Sequence, residues 1–163
     1  MFILGLKLYL DTSIPSAFYD TSKPVRRLIT QKWFKNDALS YELFISVITV
    51  KEIGRIKNDV KRQNISELIL KYDMTILDFS DKAKYLADEY MKKGAIPKSE
   101  PEDAYHIATA VINNIDALAS WNFKHIVSIN PIRKIHEINR KYEYTDIDIG
   151  SLQIFGGAEY GNL

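Results

Sequence analysis

The sequence contains no cysteine, which excludes disulfide bridges and thiolate zinc sites. Its three histidines, His106, His125 and His136, lack the spacing of a zinc finger. A charge of one sign is missing as well. The chain sets 22 Lys and Arg against 21 Asp and Glu, so no global field announces nucleic acid as a partner, and only local patches can attract it. Glycine and proline are sparse, at 7 and 5 of 163 residues, while 46% of the chain is hydrophobic. That composition suits one compact domain with its own core, without an internal repeat, a low-complexity tract or a linker. The apolar opening is interrupted by Gly5 and Lys7, is too short to span a bilayer and carries no signal-peptide cleavage pattern. A cytoplasmic location without a membrane partner is therefore expected.

Short apolar runs alternate with segments of helical period. Strands are expected over 6–10, 43–48, 74–79, 117–121 and 147–149, the first two parallel. A helix is expected from Pro24 to about Asp37, where a hydroxyl-bearing approach and an early proline mark the start. Thr49-Val50-Lys51-Glu52 fits a capping box, and the helix it opens is expected to run on with a polar break at Gln63-Asn64. Ser80-Asp81 opens another helix, which Gly94 closes. Ser99 and Glu102 fit a second capping box before Tyr105, Ala108 and Val111, and Asn130-Pro131 opens the last helix. This order implies the α/β class, a three-layer α/β/α sandwich on a mostly parallel central sheet. Residues 1–150 form the expected domain, and 151–163 a tail that is either a short strand or loosely ordered.

Candidate site residues stand where strands end. Asp11 follows Leu8-Tyr9-Leu10, Glu52 and Asp103 stand at helix starts, and Asn122 follows the fourth strand. Caps and turns account for any one of them. Three carboxylates at one sheet edge need more, because two such charges roughly 5 Å apart repel by ~3 kcal/mol at an effective dielectric of about 20. A cation offsets that repulsion, and an oxygen-rich cluster without soft ligands suits Mg2+ or Mn2+. Phosphoryl transfer is the chemistry that uses such a cluster. Asp116, at the start of the fourth strand, is expected at the opposite edge from Asp11, and the amide of Asn122 adds no charge, leaving about −3 in the cluster.

The motifs Leu8-Tyr9-Leu10-Asp11-Thr12-Ser13, Thr49-Val50-Lys51-Glu52-Ile53, Glu102-Asp103-Ala104-Tyr105-His106-Ile107-Ala108-Thr109-Ala110 and Asp116-Ala117-Leu118-Ala119-Ser120-Trp121-Asn122-Phe123-Lys124-His125, taken in order, resemble the four acidic motifs of the PIN-domain ribonucleases, which include the VapC-type toxins of bacterial toxin–antitoxin pairs. The resemblance implies a PIN-like fold and a metal-dependent endoribonuclease that hydrolyses RNA phosphodiester bonds. It implies Asp11, Glu52 and Asp103 as catalytic metal ligands, Ser13 and Asn122 as lining residues, and an antitoxin protein and a homodimer as partners beside RNA. Family members often carry an acid where Asn122 stands. Lys51 and Lys124, next to the motifs, are the candidate RNA-binding cations. His106, one turn beyond Asp103, is read as packing against the sheet or orienting a carboxylate. A haloacid-dehalogenase reading fails because Ser13 stands where its second Asp belongs, and a receiver domain needs a different acid pattern. The alternative from another class is a PIN-like module with weak or no catalysis that binds nucleic acid or protein; metal-dependent cleavage separates the two.

Overall fold

Strand β1 (Lys7–Leu10) shows how the layers arise. Successive side chains of a strand point to opposite faces. Leu8 and Leu10 accordingly enter one apolar cluster with Trp33, Phe34 and Ile65, whereas Tyr9 enters another with Leu86, Tyr90 and Ile107. In β2 (Glu42–Ser46), Leu43 and Ile45 join the first cluster and Phe44 the second. In β4 (Ala117–Ala119), the two alanines flank Leu118 in the same way. Burial on both faces is why these strands read as continuous apolar runs.

The computed structural model describes residues 5–156. With β3 (Thr75–Leu77) and β5 (Asp148–Gly150), the sheet has the order β3-β2-β1-β4-β5, and every neighbouring pair is parallel. One layer comes from α1 (Ser13–Ala17), α2 (Pro24–Asn36), α3 (Val47–Gly54) and α4 (Asp59–Lys71), the other from α5 (Asp81–Lys92), α6 (Pro101–Ile112) and α7 (Ile129–Lys141). This is the expected α/β/α sandwich. The chain leaves β1 toward β2 and later returns to its other side as β4, so the crevice beyond the C-terminal ends of β1 and β4 is the topological switch point where ligands of open α/β sheets bind.

Several boundaries differ from the sequence reading. Helix α3 begins at Val47, two residues inside the expected strand, because Ser46 is its cap and accepts from Ile48 N at 3.1 Å. The Thr49–Glu52 capping box therefore does not form, and Glu52 lies in the second turn of α3. The chain breaks at 55–58, where Asn58 caps α4 by accepting from Lys61 N at 3.0 Å; Gln63 and Asn64 lie inside that helix. Helix α6 has Glu100 at its cap without a side-chain cap bond, and Glu102 pairs instead with Arg55. Gly94 ends α5 with φ +76°, a left-handed turn that glycine adopts without strain. Within the expected tail, Leu152–Phe155 is a 3-10 helix with Leu152 buried, and the Phe155 carbonyl accepts from Trp33 Nε1 at 3.0 Å and Tyr41 OH at 2.8 Å. The remainder, 157–163, lies outside the described residues. Among the described residues no helix is long and apolar enough to cross a membrane.

Candidate active site

Asp11 is the first residue past β1, and its N–H donates to the Ala119 carbonyl at 3.2 Å, which ties the end of β1 to the end of β4. Two serines clamp its buried carboxylate. Oδ1 accepts from the N–H of Ser13 at 3.0 Å and from the Ser13 hydroxyl, while Oδ2 accepts from Ser120 Oγ at 2.6 Å. Each serine oxygen in turn accepts from the chain beyond β4: Ser13 from Trp121 N at 2.8 Å, Ser120 from Asn122 N at 2.9 Å. The carboxylate is thus held from both sides of the switch point. Burial raises its pKa above the usual range, against the opposing charge of His106 and the hydrogen bonds of Ser120 and Ser13.

Glu52 reaches the crevice from α3, and its Oε1 accepts from Thr12 Oγ1 at 2.9 Å and lies 2.6 Å from His106 Nε2. On the other side of the ring, Nδ1 lies 2.6 Å from the Tyr9 hydroxyl, which donates to Ser46 Oγ at 2.7 Å. The buried His106 ring therefore bridges the Tyr9 hydroxyl through Nδ1 and the Glu52 carboxylate through Nε2. Burial works against charge on both partners. Their mutual hydrogen bond and attraction win, so that His106 is raised and Glu52 lowered from their ordinary values. His106 therefore orients a carboxylate from a buried position.

Asp103 occupies the first turn of α6, where the helix dipole favours an acid. Its Oδ2 accepts from Asn122 Nδ2 at 3.1 Å and lies 3.3 Å from His125 Nδ1. The Asn122 Oδ1 accepts from His125 N at 2.9 Å, so one amide links Asp103 to the turn after β4. Burial, then the charge of Asp11, push the Asp103 pKa up to about 6, with His106 and His125 opposing. Glu100, Asp103 and His125 bring one ligand atom each to within 4.8 Å of one another, an arrangement that could hold a metal ion. No trio made of Asp11, Glu52 and Asp103 is as compact among the described residues. All three surround the switch point, but Glu52 is drawn to His106, and Asp103 is shared with the turn that carries Asn122 and His125. Lys51 and Lys124 are both exposed, beside Glu52 and Asn122 in the chain. Asp116 accepts from Lys7 N at 2.8 Å, at the N-terminal ends of β1 and β4 and away from Asp11.

The PIN domain family model matches residues 8–123, a span that begins with β1 and ends just past Asn122. The chain belongs to the PIN domain family. No curated protein sequence matches it. Among solved structures, Mycobacterium tuberculosis VapC20, described as a sarcin-ricin loop cleaving toxin, is similar at a TM-score of 0.57 and 12% identity, over 72% of this chain and 92% of that one. VapBC-1 from nontypeable Haemophilus influenzae is similar at a TM-score of 0.54 and 16% identity, over 88% and 96%. VapBC2 from Rickettsia felis, solved bound to a DNA fragment from its promoter, is similar at 0.51 and 18%, over 87% and 96%. At these identities the likeness is one of fold: the all-parallel sandwich is the PIN fold of the VapC structures.

Within this PIN domain, the sequence reading missed the clamp of Ser120 and the pairing of Tyr9 with His106. Ser120 sat inside the fourth motif two residues before Asn122, and Tyr9 inside the first. Strand alternation carries the available signal for Tyr9: a tyrosine between Leu8 and Leu10 faces the other layer, where its hydroxyl must find a partner. Glu100 and His125 flank Asp103 and Asn122, and only the turn after β4 brings them together.

Proposed function

We propose that this PIN-domain chain is a divalent-metal-dependent endoribonuclease, the cytoplasmic toxin of a toxin–antitoxin pair. The observation that carries this reading is the placement of Asp11 and Asp103 at the switch point of a PIN fold. Both carboxyl groups are held above their ordinary pKa, and neither has a Lys or Arg ion pair among the described residues. Burial of the pair outweighs the histidines that oppose it, and the oxygen-rich surroundings fit a hard divalent cation, Mg2+ or Mn2+. Asp11 and Asp103 would hold it with Glu52 alongside, and Glu100 and His125 at the outer edge. A divalent cation in that place supplies Lewis-acid polarisation of a phosphodiester and lowers the pKa of water.

The residues of the chain divide the remaining work. Ser13 and Ser120 fix the Asp11 carboxylate so that no reorganisation is needed on binding. Thr12 and His106 orient Glu52. Asn122 holds the Asp103 oxygen and gives its neighbourhood a neutral donor in place of an acid. Lys51 and Lys124 attract the RNA backbone past the carboxylates. An antitoxin protein and a second copy of the chain are the proposed protein partners, on the likeness to VapBC assemblies.

Purified protein should cut a panel of single-stranded and structured RNAs with Mn2+ and stop with a chelator, and Asp11→Asn should be inactive while remaining folded. Undiminished cleavage in chelator overturns the metal-dependent reading. Failure to cut the whole panel, with metal binding intact, supports the binding-module alternative.

A further inference from the structure

The turn that carries Asn122 into the site also carries two aromatic rings out of it. Trp121 is buried, held by its N–H on Ser13 Oγ at 2.8 Å and by Nε1 on Thr30 Oγ1 at 3.0 Å. Phe123, two residues on, is 46% exposed, an unusual degree for a phenyl ring, and lies 6.1 Å from the Trp121 ring at 63°. The Arg26 guanidinium stands over both, 5.2 Å from the centre of the Trp121 ring and 5.8 Å from that of Phe123. Lys23, Val25 and Gln153 complete a shallow groove of about 350 Å³ around them, and among the described residues no acidic side chain lines it.

Three properties coincide here: a part-exposed phenyl ring, a guanidinium within reach of two ring faces, and cations with no acid beside them among the described residues of the lining. Single-stranded RNA is bound by stacking its bases on aromatic and guanidinium planes while cations follow its phosphates. The groove also has a fixed relation to the chemistry. Trp121 is hydrogen-bonded to the serine that clamps Asp11, and Asn122, between the two rings in sequence, is hydrogen-bonded to Asp103.

We infer that Phe123 and Arg26 form a nucleobase subsite beside the scissile position, which seats an unpaired base of the RNA strand on the Phe123 ring and a neighbouring phosphate on Arg26. This rests on the ribonuclease reading and adds to it how the strand is registered: a single-stranded or flipped-out nucleotide must lie next to the cleaved bond. Gln153, at the rim, offers an amide to the edge of that base.

The test measures binding in chelator, where no cleavage occurs, by the anisotropy of a fluorescein-labelled single-stranded RNA of mixed sequence and of a series with one abasic nucleotide walked along it. Phe123→Ala should weaken binding about tenfold, about 1.4 kcal/mol and within the range of one stacked base, and Phe123→Tyr should keep it. One abasic position should cost the wild type the same factor and cost Phe123→Ala nothing further. Arg26→Ala should lower the logarithmic salt slope by about 0.7, and Phe123→Ala should leave the slope unchanged, since stacking releases no counterion. Unchanged affinity in folded Phe123→Ala, with Mn2+-dependent cleavage intact in the wild type, overturns the subsite and leaves the ribonuclease reading standing. A wild type that neither binds nor cuts RNA overturns both. If Phe123→Ala abolishes capture of a protein partner while RNA affinity is unchanged, the groove belongs to that partner and the subsite is wrong.

Discussion

Replacing Asp103 with Asn should stabilise the metal-free protein at neutral pH, an unusual outcome for a site substitution and one whose size follows from the geometry. Burial and the Asp11 charge lift the folded-state pKa of Asp103 from the ordinary 3.8 to about 6. Because the folded value is the higher one, the native state binds more protons than the unfolded chain between about pH 4 and pH 6. Stability is therefore greatest below about pH 4, falls as pH rises to about 6, and is flat above it. Two units or so amount to about 3 kcal/mol, and the 18% exposure of the side chain brings the figure to about 2 kcal/mol after solvent screening. An Asn at 103 carries no charge and can still accept from Asn122 Nδ2. Urea unfolding in chelator, followed by the fluorescence of Trp33 and Trp121, should show the variant gaining about 2 kcal/mol on the wild type between pH 4 and pH 7. Saturating Mn2+ should reverse the order, since a ligand at 100 times its Kd adds about 2.7 kcal/mol to the protein that binds it. A stability difference that does not change with pH, or a variant less stable than wild type at pH 7 in chelator, refutes the account of Asp103 as a carboxylate destabilised by burial and by Asp11.

Other substitutions separate the remaining roles. Lys51→Ala with Lys124→Ala should weaken RNA binding and flatten its salt dependence by roughly one unit of slope for each phosphate no longer neutralised, measured by anisotropy against salt; an unchanged slope assigns both to the solvated surface. Asn122→Asp replaces a donor to Asp103 with a second carboxylate, so the metal-free protein should lose stability and the Mn2+-induced rise in Tm should grow, whereas Asp116→Asn, at the other end of the sheet, should leave cleavage nearly untouched. Tyr90→Phe removes the hydroxyl that donates to the buried Asn139 Oδ1 and should cost about 1–3 kcal/mol in urea unfolding without changing cleavage.

How much of this was legible in the sequence depends on the range of the interaction. The strands and Asp11 were readable because apolar alternation and the acid that ends it are adjacent along the chain. The start of α3 was not, since Val47 and Ile48 extend an apolar, β-branched run that suits strand and helix alike, and only the Ser46 hydroxyl bonded to Ile48 N places the boundary. Asp103 and Asn122 were singled out through motifs, and the fold brings their side chains into a mutual hydrogen bond. The pairing of His106 was beyond pattern reading in any detail: it joins residues 97 and 54 positions apart, Tyr9 and Glu52, and depends on how α3 and α6 pack over the sheet. Ser99 and Glu102 misled for the converse reason, because a local cap motif gave up Glu102 to Arg55, 47 residues away.

That pairing changes the electrostatics of the site. Three carboxylates with a neutral Asn122 implied a cluster of about −3, but His106, raised from its ordinary pKa, pairs with Glu52 and sets that carboxylate apart from Asp11 and Asp103. One divalent cation would balance the carboxylates of Asp11 and Asp103, whereas two would leave that pair with an excess of positive charge. The amide at Asn122 is consistent with that balance, since an acid there would restore −3 and remove the donor that now holds Asp103. His106 thus does two things at once. It removes Glu52 from the repulsion between the other carboxylates, and through Tyr9 and Ser46 it anchors that carboxylate to β1 and to the cap of α3. A carboxylate held this way can orient a water by accepting from it, while Asp11 and Asp103 would supply the charge that binds a cation under the proposed function.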